Sequence, residues 1–138
     1  MIVRSKTICA DKPNLNGHIY SKEVLKIAIE KSKEKVKPGF YSQGELNRNY
    51  SLGNTTGPLL ENISHEVESI SLNEKTGFVE GKIKILETPS GKKLQTLIDS
   101  GCKIFGDLTA VGILKDNIVT ECEFRTFDIV ADFNHDSN

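Results

Sequence analysis

Apolar positions along the chain recur at two spacings, and the switches between them delimit the elements. From Ile2 to Ala10 the side chains alternate, with Ile2, Arg4, Lys6 and Ile8 on one side and Val3, Ser5, Thr7 and Cys9 on the other. A period of two predicts a strand, although neither face is uniformly apolar. Asp11-Lys12-Pro13-Asn14-Leu15-Asn16-Gly17 breaks the pattern with residues that favour turns. The spacing then becomes three and four: Val24, Leu25, Ala28 and Ile29 form a helical stripe. Ser21 suits the N-cap of that helix, Glu23 its first turn, and Lys37-Pro38-Gly39 its stop. The charge-rich stretch from Glu30 to Lys37 reads as a solvated helical face. Phe40 to Leu46 has the length of a short strand. Asn47 to Pro58, with three Asn, two Gly and a Pro, reads as a long polar loop.

Alternation returns from Glu61 to Leu72 and again from Phe78 to Ile85. Asn73-Glu74-Lys75-Thr76-Gly77 lies between the two runs as a hairpin loop. Thr88-Pro89-Ser90-Gly91 opens a second helix that carries Leu94, Leu97 and Ile98 on one stripe, and Gly101 fits its C-terminal cap. Lys103 to Leu114 predicts a strand interrupted near Gly106-Asp107, and Lys115-Asp116-Asn117 a tight turn. Ile118 to Ala131 predicts a long strand, followed by a polar tail from Asp132 to Asn138 that frays. Strands outnumber the two short helices, and the β-α alternation is too irregular for a doubly wound parallel sheet. The expected class is α+β: a mostly antiparallel β-barrel flanked by two helices, one domain over residues 1–138.

Composition narrows the function classes without choosing among them. The 138 residues carry 18 Lys+Arg against 19 Asp+Glu, a net charge of −1, so the electrostatic footprint of a nucleic-acid module is missing. With 37% hydrophobic residues the chain does not have the composition of a disordered segment. No apolar run approaches the roughly 18 residues of a membrane span, and the stretch from Met1 to Lys6 lacks the apolar core of a signal peptide. Cys9, Cys102 and Cys122 are odd in number and far apart, which fits reduced, partly buried thiols in a cytosolic protein. No phosphate-binding glycine loop, nucleophile elbow or zinc motif occurs, so no cofactor and no metal are expected. His18, His65 and His135 are scattered. Of these His65 stands out, because it lies mid-strand in Ile63-Ser64-His65-Glu66-Val67.

A set of short segments, in order across nearly the whole chain, resembles the prohead (capsid maturation) proteases of tailed phages. Asn14-Leu15-Asn16-Gly17-His18-Ile19-Tyr20 followed by Lys22-Glu23-Val24-Leu25 is similar to the family's N-x-N-G-R-I-Y-P-x-x-V-L opening. Gly44-Glu45-Leu46-Asn47 resembles G-E-L-D-H-P, and Ile63-Ser64-His65 resembles V-S-H. The run from Gly81 to Leu94 resembles G-x-I-x-I-L-x-T-P-x-G-x-x-L. Leu97-Ile98-Asp99-Ser100-Gly101 resembles L-I-E-A-G, and Phe127-Asp128-Ile129-Val130-Ala131-Asp132 resembles F-D-L-V-S-D-P. The resemblance implies a barrel flanked by helices, similar to the herpesvirus assembly proteases, with a serine nucleophile and a histidine base.

The resemblance departs at the chemistry. Where the family has Asp-His-Pro, this chain reads Asn47-Arg48-Asn49, and an arginine stays protonated and accepts no proton. The family's V-S-S-R-G nucleophile segment falls on Phe105 to Gly112. An ungapped match sets Asp107 and Leu108 at the two serines, and a match anchored on Gly112 sets Thr109 and Ala110 there. Thr109 with His65 as base is the one rescue pair the sequence offers. Three readings follow. The first is a non-catalytic phage protein on the protease fold, a virion or assembly component that contacts phage capsid or other virion proteins or self-associates. Its place would be the host cytoplasm during assembly and the virion, with no nucleic-acid or membrane partner. The second is an active serine/threonine-type maturation protease with a relocated site. The third is an unrelated small-ligand or partner-binding module that uses the loop Asn47 to Pro58.

Overall fold

A computed structural model describes residues 1–34, 39–48 and 57–132. The expected helix stop at Lys37-Pro38-Gly39, the loop Asn47 to Pro58 and the polar tail therefore fall wholly or partly outside the described residues. Seven strands and two helices follow one another: β1 (Ile2–Cys9), β2 (Ile19–Tyr20), α1 (Lys22–Ser32), β3 (Gln43–Glu45), β4 (Ile63–Leu72), β5 (Phe78–Ile85), α2 (Pro89–Asp99), β6 (Lys103–Lys115) and β7 (Ile118–Asp132). A 3-10 turn, Leu60–Asn62, leads into β4. The strand order is β2-β7-β6-β1-β5-β4-β3. Four of the six pairings are antiparallel; β1–β6 and β2–β7 are parallel. The α+β class and the mostly antiparallel pairing are thus present. Among the described residues no ladder joins the two ends, so the expected barrel is seen as an open seven-stranded sheet. A lone bridge from Leu46 to Ile129, with the Tyr41 amide on the Arg125 carbonyl, draws the β3 end toward β7.

Local chemistry accounts for the elements. Ser21 caps α1, its hydroxyl accepting from the Val24 amide at 3.1 Å, an interaction of about 1 kcal/mol in other helices. Leu25, Ala28 and Ile29 are the buried stripe, and α1 ends at Ser32 once that stripe is spent. Thr88 caps α2 by accepting from the Gly91 amide and donating to the Ile63 carbonyl, which ties the helix to the start of β4. A Cβ on Gly91 would lie 1.8 Å from the Leu86 carbonyl oxygen, so only glycine permits this approach. Asp116 and Asn117, both with positive φ, close the β6–β7 hairpin.

Three departures from the sequence reading have physical reasons. β1 looked unclean because its pairing with β5 slips between Arg4 and Cys9: Val3 and Ser5 point inward, then Ile8 and Cys9 are both buried. Its outward Arg4 lies over the rings of Phe78 and Phe105 at 4.0 and 5.2 Å. β2, two residues paired with β7, is too short for any periodic signal. β6 runs unbroken through Gly106-Asp107, because Gly106 serves packing: a Cβ there would lie 2.0 Å from Phe127 Cζ. Filling that space should strain the core. We expect Gly106→Ala to cost about 1–3 kcal/mol by overpacking, read as a lower urea midpoint at unchanged slope. Unchanged stability would mean that the Phe127 ring is not seated on this strand.

Candidate functional site

Strand alternation sorts the C-terminal residues onto two faces. Leu108 opposes Phe127 and Gly106 opposes Ile129, and these line the apolar core. Asp107 opposes Asp128 and Thr109 opposes Thr126 on the other face. Of the four positions proposed for a nucleophile, Leu108 is therefore a core residue and Ala110 packs against the core, while Asp107 and Thr109 share a face with two buried polar groups. Thr126 and Asp128 are 2% and 0% exposed.

The end of β3 covers that face. The Glu45 amide donates to Asp128 Oδ1 at 2.9 Å. Asn47 turns through φ 52°, donates its amide to the Ile129 carbonyl and accepts from the Ala131 amide on its side-chain oxygen. This turn delivers Arg48 into the polar cluster. Its Nε lies 3.6 Å from Glu45 Oε2 and its Nη1 3.7 Å from Asp128 Oδ2, with all three side chains at most 6% exposed. Nη1 also donates to Thr126 Oγ1 at 3.5 Å, and Nη2 to the Gly57 carbonyl at 3.2 Å. Asn62 donates to Glu45 Oε1 at 3.2 Å. The structure thus brings Arg48 and Thr109 to one place, joined through Thr126.

The hydroxyls form a directed chain. Thr126 donates to Asp128 Oδ2 at 3.0 Å, so Thr109, 2.6 Å from Thr126, donates to Thr126. The Thr126 amide in turn donates to Thr109 Oγ1 at 3.1 Å. Burial pushes the Asp128 carboxyl above its ordinary range, against the Glu45 amide, the Thr126 hydroxyl and the Arg48 charge, which pull it down. The guanidinium sits too far for a close charged hydrogen bond, so desolvation prevails.

His65 is fully buried and engaged at both nitrogens. Nε2 lies 2.7 Å from the Phe127 carbonyl, which only accepts, so Nε2 carries the proton. Nδ1 then accepts from the Ser64 hydroxyl at 2.7 Å. Burial holds the imidazole below its usual pKa. A Cβ at Gly44 would lie 2.3 Å from Nε2, so β3 seals the ring in place. Neither nitrogen has a direction left for the Thr109 hydroxyl. Among the described residues no three His, Cys, Asp or Glu side chains are grouped to hold a metal ion. The three thiols are unpaired, and burial pushes Cys122 up to about 11.

Sequence reasoning located Arg48, Thr109 and His65 but passed over Glu45, Asn62, Thr126 and Asp128. The signal for Asp128 was an acid inside the apolar run Phe127-Ile129-Val130. For Glu45 there was none beyond the family segment. The open sheet with its two flanking helices has a fold similar to that of a phage capsid assembly protease. The solved structure of the bacteriophage T4 capsid assembly protease gp21 superposes on it with a TM-score of 0.72 at 20% identity, covering 94% of this chain and 80% of that one. At that identity the likeness is one of fold. No protein-family model matches the sequence, and no curated protein matches it. Among the described residues no helix is long and apolar enough to cross a membrane.

Two outcomes test this site. Arg48→Met strands two buried carboxylates and should cost about 3–5 kcal/mol at neutral pH. The loss should shrink in acid as the Asp128 carboxyl, which burial already raises, takes up a proton, and denaturation at two pH values reads this. His65 has a folded pKa below its unfolded value near 6.5, so its contribution is full above that pH and is lost as pH falls toward the folded value. The stability slope just below pH 6.5 should be shallower in His65→Gln than in the parent; equal slopes would mean that His65 titrates freely in the fold.

Proposed function

We propose that this chain is a non-catalytic phage protein, one prohead-protease-like unit over residues 1–138, that acts in particle assembly or in the virion by contacting capsid proteins. The observation that carries this reading is Arg48. At the position matched to the family's histidine stands a cation that cannot accept a proton, and it is held by Glu45, Asp128, Thr126 and Gly57. The surroundings support it. His65 has both nitrogens occupied, and the Thr109 hydroxyl is spent on Thr126. The balanced net charge favours protein contact over nucleic acid, and assembly in the host cytoplasm is the setting that fits it. The approach of Leu46 to Ile129 is consistent with barrel-like curvature of the sheet.

A second reading draws on the chain from Thr109 through Thr126 to Asp128, which is laid out as a proton relay from a hydroxyl to a carboxylate. Thr126 stands between the Thr109 hydroxyl and that carboxylate, and His65 has no nitrogen left for it, which is why this reading ranks second. Incubation of the purified protein with phage scaffold and capsid proteins separates the two. We expect no cleavage products by mass spectrometry, from the parent or from Thr109→Ala, together with co-sedimentation with capsid protein. Cleavage that disappears in Thr109→Ala would falsify the non-catalytic reading.

A further inference from the structure

Arg4 lacks an anion in surroundings suited to hold one. On β1, Val3 and Ser5 are buried in the core, and Arg4 points to the opposite face with Ile2 and Lys6. The helices pack chiefly on β4 and β7, and Ile2 on this outer face is 59% exposed. Opposite Arg4 on β5 stands Glu80, its natural ion-pair partner, yet the two are not joined. Glu80 Oε2 accepts from Asn73 Nδ2 at 3.2 Å, and the guanidinium lies over Phe78 of β5 and Phe105 of β6 instead. Arg48 and Arg125 each reach a glutamate. Among the described residues Arg4 reaches no carboxylate and no other acceptor. Its Nε is buried without a partner, and its two Nη groups form the accessible end. A buried donor without an acceptor is unfavourable, and a guanidinium already held between rings loses little freedom when an anion arrives.

We propose that the Nη pair of Arg4 receives the carboxylate of an aspartate or glutamate on a partner protein, with Ile2 and Phe105 against its apolar surroundings. The chemistry selects this occupant. The planar fork matches a carboxylate at two points, and an arginine between aromatic rings is the composition of an interface hot spot. The charges beside it agree. Lys6, Lys82 and Lys103 lie on the same face, and among the described residues none of the three is held in an ion pair. The acids on these strands are already engaged: Glu80 holds Asn73, and Asp107 has a partner within the chain. An acidic segment therefore finds a cationic face on a chain whose net charge is −1. A nucleic-acid strand fits less well, because it stacks its bases on open aromatic faces, and the guanidinium already lies over Phe78 and Phe105. The proposal rests on the reading that the chain works through protein contact, and names the point of that contact.

Three probes test it on the whole chain: a fluorescein-labelled peptide of alternating glutamate and leucine, the same peptide with glutamine for glutamate, and purified phage capsid protein. The glutamate peptide should bind and the glutamine peptide should not. Arg4→Gln should weaken binding about tenfold or more. Arg4→Lys keeps the charge but loses the fork, and should weaken it nearly as much. Lys82→Glu, at an exposed position, should weaken it less. Arg4 also packs on two rings, so the second readout uses the unaltered protein: the nitrogen-15 shift of its Nε–H should move with the glutamate peptide and stay with the glutamine peptide. Absence of glutamate-peptide binding, or binding that leaves the Nε–H signal in place, overturns the proposal. So does an Nε–H signal that moves with single-stranded oligothymidylate and not with the peptide. A glutamate peptide seated at Arg4 beside capsid protein that does not bind keeps the site and removes the capsid reading. Capsid protein bound equally by the parent and Arg4→Gln keeps that reading and removes the site.

Discussion

Phe127 is the residue through which the two halves of the sheet are tied. Its ring occupies the space over Gly81 of β5 and Gly106 of β6, positions where any Cβ would collide with it. Its backbone carbonyl accepts from His65, fixing the tautomer of a histidine on β4. Because strand neighbours point to opposite faces, seating this ring inward forces Thr126 and Asp128 outward beneath the end of β3. Core packing and the polar cluster are therefore one constraint seen from two faces. A shift of β7 by one residue would bury Asp128 among Val3, Ile83 and Leu25 and expose the largest core ring.

The cluster around Arg48 is costly to maintain. Three ionisable side chains are withdrawn from water, and their ion pairs at 3.6 and 3.7 Å work against that desolvation. An apolar replacement of similar shape would serve stability as well. What the cluster provides is location: it fixes the chain that leaves β3 against β7, beside the Leu46–Ile129 bridge and the backbone bonds of Tyr41 and Asn47 to that strand. Fold and chemistry are separable at this point, since a fold similar to that of a capsid assembly protease does not by itself fix which side chains fill the polar cluster.

Much of the fold was legible from spacing. The β4–β5 hairpin, both helix caps and the long final strand each rest on local signals: alternation, a Ser or Thr before an apolar stripe, a Gly after it. Gly106 was misread because glycine inside a strand signals a break as readily as a close approach, and only the position of Phe127, some twenty residues on, decides between them. β2 and the slip in β1 depend on partners distant in sequence. The site was legible at Arg48, Thr109 and His65 through family segments. Glu45, Asn62, Thr126 and Asp128 were not, because polar residues on a strand's outer face look solvent-exposed until another segment is laid across them.

The place of β1 in the sheet has a consequence for how the molecule is made. It lies between β5 and β6, so this strand has partners that begin only at Phe78 and Lys103, far along the chain. Chain elongation at roughly 5–20 residues per second leaves that strand without a ladder for several seconds. The contacts that organise the centre of the sheet are also the most distant in sequence, the arrangement that slows folding most. The hairpins β4–β5 and β6–β7 can form as they emerge. β1 can join β5 only after the β4–β5 hairpin has formed and gains β6 later still, so the centre of the sheet is completed after its hairpins.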